Sequence, residues 1–265
     1  MNKKLYILST GRCGTTFLSR LIQQNDPALS NIHQQKDSKG LNVQANLAIS
    51  SKRYKKRFVA SLSRKYAHAL PPSTADSLRS VAYLLYLEKL FEENPGLRDN
   101  AIIIHLVRDP RDFVSSFMNW KNRRLSGWIA HHLTPFWMPQ PKISERFSMT
   151  KFEHFCWIWQ RKNMLFRDGF SNLHDYHLYK MEDLQAGSEK LNELLSLITG
   201  RSDIKTGTEG ENHNSPTKKS FPYWKNWSPA QAKKLYDKCT GLMEQSGYGQ
   251  EADWLKLLRS SDHEK

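Results

Sequence analysis

Residues 5–22 read LYILSTGRCGTTFLSRLI, a short apolar strand followed by a turn with two glycines and the start of an amphipathic helix. Leu5–Leu8 have the pattern of a buried strand, and the apolar residues of FLSRLI recur at helical spacing. Gly11 and Gly14 allow the backbone between strand and helix to turn tightly. The stretch therefore predicts a β-strand, a tight turn and an α-helix in direct succession.

The turn has the features of an anion site. Amide groups around Cys13–Thr16 would point outward at the positive end of the helix dipole, where an anionic oxygen supplies the acceptor they lack. Thr15 and Thr16 add hydroxyl donors, and Arg12 adds a permanent positive charge. A Gly-x-x-Gly turn can also be only a structural connection, so the phosphate interpretation needs a second element.

The turn departs from the loop of nucleoside-triphosphate enzymes. That loop has a lysine and then Ser or Thr after its second glycine, and the hydroxyl binds Mg²⁺. Here Thr15 and Thr16 follow Gly14 directly. The sequence therefore disfavours a kinase or an ATPase and predicts no metal at this site.

The second element is AIIIHLVRDPRDFVSSFMNW, which begins at Ala101. Ala101–Val107 is a continuous apolar run, typical of a strand buried on both faces of a parallel sheet. Asp109 is a good N-cap and Pro110 suits the first position of the following helix. Arg108 then lies at the carboxyl end of a strand, where ligands bind in open α/β sheets, and Ser116 lies two turns into the helix. A buried structural Arg–Asp pair is the alternative for Arg108.

Together the two segments resemble the sulfotransferases that use 3′-phosphoadenosine 5′-phosphosulfate (PAPS). Members of that family carry a basic-x-Gly-Thr-Thr loop and an Arg-Asp-Pro-Arg-Asp stretch with a serine eight residues after its first arginine. This chain has Arg12 to Thr16 in the first pattern, and Arg108 with Ser116 in the second. The resemblance implies that the loop holds the 5′-phosphate and sulfuryl group, while Arg108 and Ser116 hold the 3′-phosphate.

Two further stretches fit the resemblance less closely. His177–Leu184, HLYKMEDL, is similar to a family strand ending in Tyr-Glu-Asp-Leu, with Met181 where some members have an adenine-contacting tyrosine. Lys218 and Lys219, which precede Trp224-Lys225-Asn226, resemble a basic family loop, although a solvated lysine pair is the alternative. The residues expected to bind the nucleotide are Gly11, Arg12, Cys13, Gly14, Thr15, Thr16, Arg108, Ser116, Lys218 and Lys219.

Length and composition agree with one enzyme domain over residues 1–265. A formal net charge of +14 and a pI near 9.6 favour anionic ligands. Cys13, Cys156 and Cys239 form neither a disulfide framework nor a metal-ligand pattern, which favours a reducing compartment. The N-terminus has no apolar run of signal-peptide or membrane-anchor length, so we expect a cytoplasmic protein with no transmembrane segment.

The expected fold is a three-layer α/β fold of the P-loop type, with a mostly parallel sheet between helices. The sheet strands are expected at Leu5–Leu8, Leu29–His33, Ala101–Val107 and His177–Tyr179, with a fifth strand unassigned. Residues 39–100 are expected to form a helical basic insertion, which is either a solvated face or a surface for an anionic acceptor or a membrane. Residues 120–150 are expected to form an aromatic lid, which is either an acceptor pocket or packing.

Sulfuryl transfer needs a base for the acceptor proton and positive charge at the departing oxygen. Family members place a His or Glu after the second strand, and His33 lies at that position. An imidazole titrates near neutral pH, so His33 is the expected base, with His105, His131 and His132 as rivals. Arg12 is expected to stabilise the leaving phosphate. Direct in-line transfer follows if no side chain is a covalent nucleophile, and Cys13 is the rival for that role.

The sequence thus predicts a metal-independent sulfotransferase that binds PAPS and its product, adenosine 3′,5′-bisphosphate (PAP). The acceptor would be a hydroxyl or amine of a glycan, a lipid or a small molecule. A P-loop kinase-like phosphotransferase and a non-enzymatic basic module that binds polyanions are the alternatives. We expect no nucleic-acid partner, and contact with a membrane surface stays open.

Overall fold

The computed structural model describes residues 4–27, 31–33, 44–45, 48, 52–66, 75–78, 81–119, 149–185, 187–205 and 221–260. Strands β1 to β5 are Lys4–Ser9, Asn31–His33, Ala75–Leu78, Ala101–Val107 and Tyr176–Lys180. Helices α1 to α9 of these ranges are Thr15–Asn25, Lys52–Tyr66, Val81–Glu93, Pro95–Asp99, Pro110–Asn119, Lys151–Phe170, Glu189–Thr199, Pro229–Gln245 and Ala252–Ser260. Short 3₁₀ turns span Met181–Asp183 and Trp224–Asn226. None of the helices in the described ranges combines the length and the apolar character needed to cross a membrane.

The five strands form one parallel sheet in the order β2-β3-β1-β4-β5. All seven residues of β4 are buried, as the continuous apolar run predicts. Because the strands are parallel, their carboxyl ends lie along one edge of the sheet, which brings the segments after β1, β4 and β5 together.

The fifth strand, β3, comes from the segment that we expected to be a helical insertion. Ala75–Leu78 pairs in parallel with Leu5–Leu8 of β1 and also with β2. At least this part of residues 39–100 therefore belongs to the central sheet.

Helices cover both faces of the sheet, which confirms the three-layer α/β prediction. Alternate side chains of a strand point to opposite faces, so Tyr6 and Leu8 pack with α2, α3 and α6, while Leu5 and Ile7 pack with α1 and α7. A third apolar cluster joins α5, α6, α8 and α9 with Val107 at the carboxyl end of β4, and it includes Trp159, Trp224 and Trp254. This cluster supports the segment that follows β4.

Capping residues and prolines mark the starts of two helices. Pro110 begins α5, and the Asp109 carboxylate accepts a hydrogen bond from the Arg111 amide at 2.8 Å. Ser228 caps α8 through a capping box with Gln231, and Pro229 is the first helical residue.

Candidate phosphate-binding site

The turn between β1 and α1 has a left-handed backbone at three of its residues. Gly11, Arg12 and Gly14 have φ values of +88°, +59° and +65°. Arg12 is the one non-glycine residue with positive φ in the described part of the chain, and such strain is concentrated at functional sites. Gly14 is the N-cap of α1 and provides no side-chain acceptor, so the site is suited to an external anion.

Cys13 has a structural role in this turn. Its thiol is fully buried, donates to the carbonyl of Gly11 at 3.2 Å and lies 3.5 Å from the Thr10 hydroxyl. Burial raises the pKa of the Cys13 thiol to about 11. The side chain is therefore a neutral, enclosed thiol, which argues against its role as a covalent nucleophile.

Three of the expected nucleotide-binding side chains meet at the carboxyl ends of β1 and β4. Arg108 donates from Nη1 to the carbonyl oxygen of Arg12 at 2.9 Å. Arg12 donates from Nε to the hydroxyl of Ser116 at 2.9 Å. All three side chains are half-buried. Burial lowers the pKa of the Arg12 guanidinium, and the nearby charge of Arg108 lowers it further, so a bound anion would stabilise both cations.

A carboxylate stands close to these cations. Asp112 lies one helical turn before Ser116 on α5 and is half-buried. Burial raises the pKa of Asp112 and the charge of Asp109 adds to this, while Arg108 opposes both effects. The site is therefore not purely cationic, because the last residue of the Arg-Asp-Pro-Arg-Asp stretch lies beside it.

Arg111, the second arginine of the Arg-Asp-Pro-Arg-Asp stretch, anchors the motif to the body of the protein. Its guanidinium donates to both carboxylate oxygens of Asp109 and to both of Glu251. It also lies 4.4 Å from the ring centre of Trp224 and 5.1 Å from that of Trp254. Burial alone would lower the pKa of Arg111, but the hydrogen bonds to the two carboxylates raise it above its usual value. Arg111 thus makes the structural Arg–Asp pair that we had considered for Arg108.

The stretch after β5 contacts both loops. Glu182 accepts a hydrogen bond from the Asp109 amide at 3.0 Å and another from the Tyr248 hydroxyl at 2.7 Å. The thioether of Met181 lies against Gly14, where a Cβ would overlap it. The segment resembling Tyr-Glu-Asp-Leu therefore packs against the site, and the space beside Gly14 holds a methionine in place of an aromatic ring.

His105, one of the rivals for the general base, is a core residue. Its ring is fully buried and hydrogen-bonds the Tyr176 hydroxyl at 2.7 Å and the Asn163 side-chain oxygen at 2.9 Å. Burial lowers the pKa of His105 to about 4, so the imidazole is neutral near pH 7. This rival for the general base is thus enclosed in the sheet packing.

His33 is the last residue of β2, as in the expected strand Leu29–His33. It pairs with Ser77 of β3, which in turn pairs with Ile7 of β1. Two strand spacings separate the backbones of His33 and Ile7, about 10 Å across the sheet. The residue lies near the edge of the sheet where the strands end, and its role as a base stays a prediction.

Several expected site residues lie outside the described residues. These are Lys218, Lys219, His131 and His132, together with residues 120–148 of the aromatic segment. Within the described ranges, no group of three or more His, Cys, Asp and Glu side chains is arranged to hold a metal ion. Tyr248, Glu251 and Trp254 were not foreseen because they lie far along the chain from the motifs they support.

No protein-family model and no curated protein sequence matches the chain. Among solved structures, a sulfotransferase from Alicyclobacillus acidocaldarius aligns over 96% of this chain and 99% of its own, with 13% identity and a TM-score of 0.46. A sulfotransferase domain from the curacin biosynthetic pathway aligns over 94% of this chain and 98% of its own, with 14% identity and a TM-score of 0.46. Similarity at this level leaves the function to be inferred from the residues of the chain.

Proposed function

We propose that this protein is a sulfotransferase that transfers a sulfuryl group from PAPS to an acceptor hydroxyl or amine. The observation that carries the proposal is the meeting of Arg12, Arg108 and Ser116 beside the uncapped start of α1. Two half-buried guanidinium groups and a helix N-terminus make a site that favours a ligand with several phosphate-type groups.

The residues fit the two ends of such a nucleotide. The turn from Gly11 to Thr16 would hold the 5′-phosphate and the sulfuryl group, and Arg108 with Ser116 would hold the 3′-phosphate. Ser116 accepts a hydrogen bond from Arg12, so its hydroxyl faces the cationic centre. Lys218 and Lys219 would add charge from the segment before Trp224.

In the proposed reaction the acceptor oxygen or nitrogen bonds to sulfur as the bond from sulfur to the 5′-phosphate oxygen breaks. His33 would take the acceptor proton, and Arg12 would stabilise the negative charge on the departing phosphate. PAP is the second product. A covalent step through Cys13 is disfavoured because the thiol is buried and its pKa is raised.

The alternatives are less well supported. A kinase-like phosphotransferase would need a residue to replace the lysine that the loop lacks. A non-enzymatic basic module would not need two half-buried arginines at the ends of two sheet strands, one of them with a strained backbone. The three cysteines are buried thiols, which fits the cytoplasmic location that we propose.

The test is single-turnover transfer from PAPS labelled in the sulfuryl group, screened against glycan, lipid and phenol acceptors in the presence of EDTA. We expect transfer to survive chelation and to fall about 10²–10⁴-fold in His33→Ala, because a general base acts in the transition state. His174→Ala, which changes a fully exposed histidine, is the matched control. Turnover that needs a stoichiometric metal, or hydrolysis of ATP with Mg²⁺ in place of sulfuryl transfer, would contradict the proposal. If His33→Ala transfers normally while His131→Ala or His132→Ala fails, the base lies in the aromatic segment.

A further inference from the structure

The side of α5 that is open to solvent carries one acidic residue. Within Pro110–Asn119, Asp112, Ser116 and Met118 are partly exposed and the other residues are buried. Asp112 and Ser116 are four positions apart, so their side chains lie next to each other on one side of the helix. The hydroxyl of Ser116 accepts a hydrogen bond from Nε of Arg12 at 2.9 Å. Asp112 therefore borders the space that we assign to the 3′-phosphate.

The carboxylate of Asp112 has no partner of its own among the residues that the structure describes, where it forms neither a hydrogen bond nor an ion pair. Asp112 is the third residue of α5, and a carboxylate at that position commonly accepts a hydrogen bond from the amide of the capping residue. Here the amide of Asp109 donates to Glu182 instead, at 3.0 Å. The acceptor capacity of Asp112 is therefore unused.

The charges around Asp112 are of both signs. Burial raises the pKa of Asp112, and the carboxylates of Asp109 and Glu182 add to this effect, whereas Arg108 and Arg111 oppose it. Arg111 is already paired with two other carboxylates. Arg108 forms no ion pair in the described part of the chain and donates to a carbonyl oxygen. Arg108 is therefore the cation that Asp112 and a bound phosphate would share.

We propose that Asp112 opposes the 3′-phosphate and so allows PAP to leave the site. The inference rests on the proposed function, in which Arg108 and Ser116 hold that phosphate. A phosphate on Arg108 has the like charge of Asp112 as a neighbour, in a half-buried place where salt screens the repulsion less than at an exposed surface. PAP must leave before the next turnover, and a site built only from cations would retain it. Asp112 thus tunes product release and takes no part in bond making.

A purely structural role for Asp112 makes a different prediction. A carboxylate in the first turn stabilises a helix through the helix dipole. If that were its only role, replacement of Asp112 would lower the stability slightly and leave the affinity for PAP unchanged. If Asp112 opposes the phosphate, loss of its charge strengthens binding, whereas loss of a binding residue weakens it.

The test is calorimetric titration of PAP into the parent protein and Asp112→Asn at pH 7.5, with unfolding midpoints to show that each variant is folded. We expect Asp112→Asn to bind PAP about three- to tenfold more tightly than the parent, because the repulsion is removed. Asp112→Ser also removes the charge and should show the same gain. The control is Asp237→Asn, which makes the same change at an exposed position on α8 and should bind PAP like the parent.

A second ligand and a second pH show whether the effect comes from the charge of Asp112 on the 3′-phosphate. Adenosine 5′-monophosphate lacks that phosphate, so its affinity should change less than about twofold in Asp112→Asn. Because the pKa of Asp112 is raised, acidification to pH 5 should neutralise part of its charge and reduce the gain for PAP. Parent and variant are compared at the same pH, so the titration of the phosphate itself cancels.

Three results would overturn the proposal. These are a PAP affinity of the folded Asp112 variants at or below the parental value, an equal gain for adenosine 5′-monophosphate, and an equal gain in Asp237→Asn. Each of them leaves the proposed function intact, because PAP still binds the parent protein. If PAP binds none of the proteins, the proposed function fails, and this inference fails with it.

Discussion

The Nε of Arg12 lies 2.9 Å from the hydroxyl of Ser116, which joins the turn after β1 to the helix after β4. The two residues are 104 positions apart, and the sequence motifs alone predicted that they share one site. Arg12 holds this position with a left-handed backbone, and its carbonyl oxygen accepts a hydrogen bond from Arg108. The turn and the helix thus present two guanidinium groups and a hydroxyl to one space.

His105 should make the stability of the protein depend on pH. Burial lowers its pKa in the folded state to about 4, below the ordinary value near 6.5, so the unfolded chain binds the proton more readily. The stability that comes from keeping His105 neutral in the folded state is fully present above pH 6.5. It is lost as the pH falls towards 4. We expect His105 to account for a loss of about 2 kcal/mol between pH 7 and pH 5.

The measurement is urea unfolding of the parent and of His105→Gln at both pH values. The variant should be less stable at pH 7 and should lose less stability on acidification. His174→Gln changes an almost fully exposed histidine and should keep the parental pH dependence. If His105→Gln loses as much stability on acidification as the parent does, His105 is not the source of this pH dependence.

Replacing Arg111 should lower the free energy of unfolding more than the loss of an exposed ion pair does. Arg111→Met leaves the carboxylate of Asp109 buried without its main partner, which we expect to cost about 3–5 kcal/mol. Glu251→Gln should cost about 1 kcal/mol, because Glu251 is half-exposed and Asp109 still pairs with Arg111.

Chemical unfolding at pH 7 measures both values. Lys225→Gln, which breaks the exposed ion pair with Asp253 of α9, is the control and should unfold near the parental midpoint. If Arg111→Met unfolds at the same midpoint as Lys225→Gln, the hydrogen bonds of Arg111 with Asp109 and Glu251 do not anchor the Arg-Asp-Pro-Arg-Asp stretch.

Cys13 should be dispensable for the chemistry. At pH 7.5 a thiol with a pKa of about 11 is almost wholly protonated, and Cys13 is enclosed in the native protein. Cys13→Ala should transfer the sulfuryl group within about threefold of the parental rate, since removing the thiol takes away no group of the transition state. Iodoacetamide should label Cys13 only after denaturation, as read by mass spectrometry. A native-state adduct on Cys13 together with an inactive, folded variant would restore the covalent mechanism.

The success of the fold prediction varied with the strand. The β-branched apolar run Ala101–Val107 carries its own signal, and the strand has those bounds in the structure. Ala75–Leu78 reads ADSL, which has no apolar pattern, and becomes a strand by pairing with β1 and β2 on either side. Such pairing depends on partners distant in the sequence, so a single sequence does not reveal it.

The site residues also divide into those that local motifs predict and those that depend on contacts distant in the sequence. Arg12, Arg108 and Ser116 belong to short motifs with fixed spacing, and the parallel sheet brings their strand ends together. The pair of Arg111 with Glu251 spans 140 positions and no motif includes Glu251. Contacts of this kind follow from the tertiary packing of α9 against α8 and the turn at Trp224, which local patterns do not encode.

The most direct test of the central claim is calorimetric titration of PAP into the parent protein, Arg108→Ala and Ser116→Ala, with Arg98→Ala as an exposed control. We expect the parent and the control to bind alike and Arg108→Ala to lose about 1.5–3 kcal/mol, the usual cost of a lost hydrogen bond to a charged group. Ser116→Ala should lose less, because one neutral hydroxyl is removed. Equal affinity of the parent and a folded Arg108→Ala, or no binding of PAP by the parent, would contradict the account.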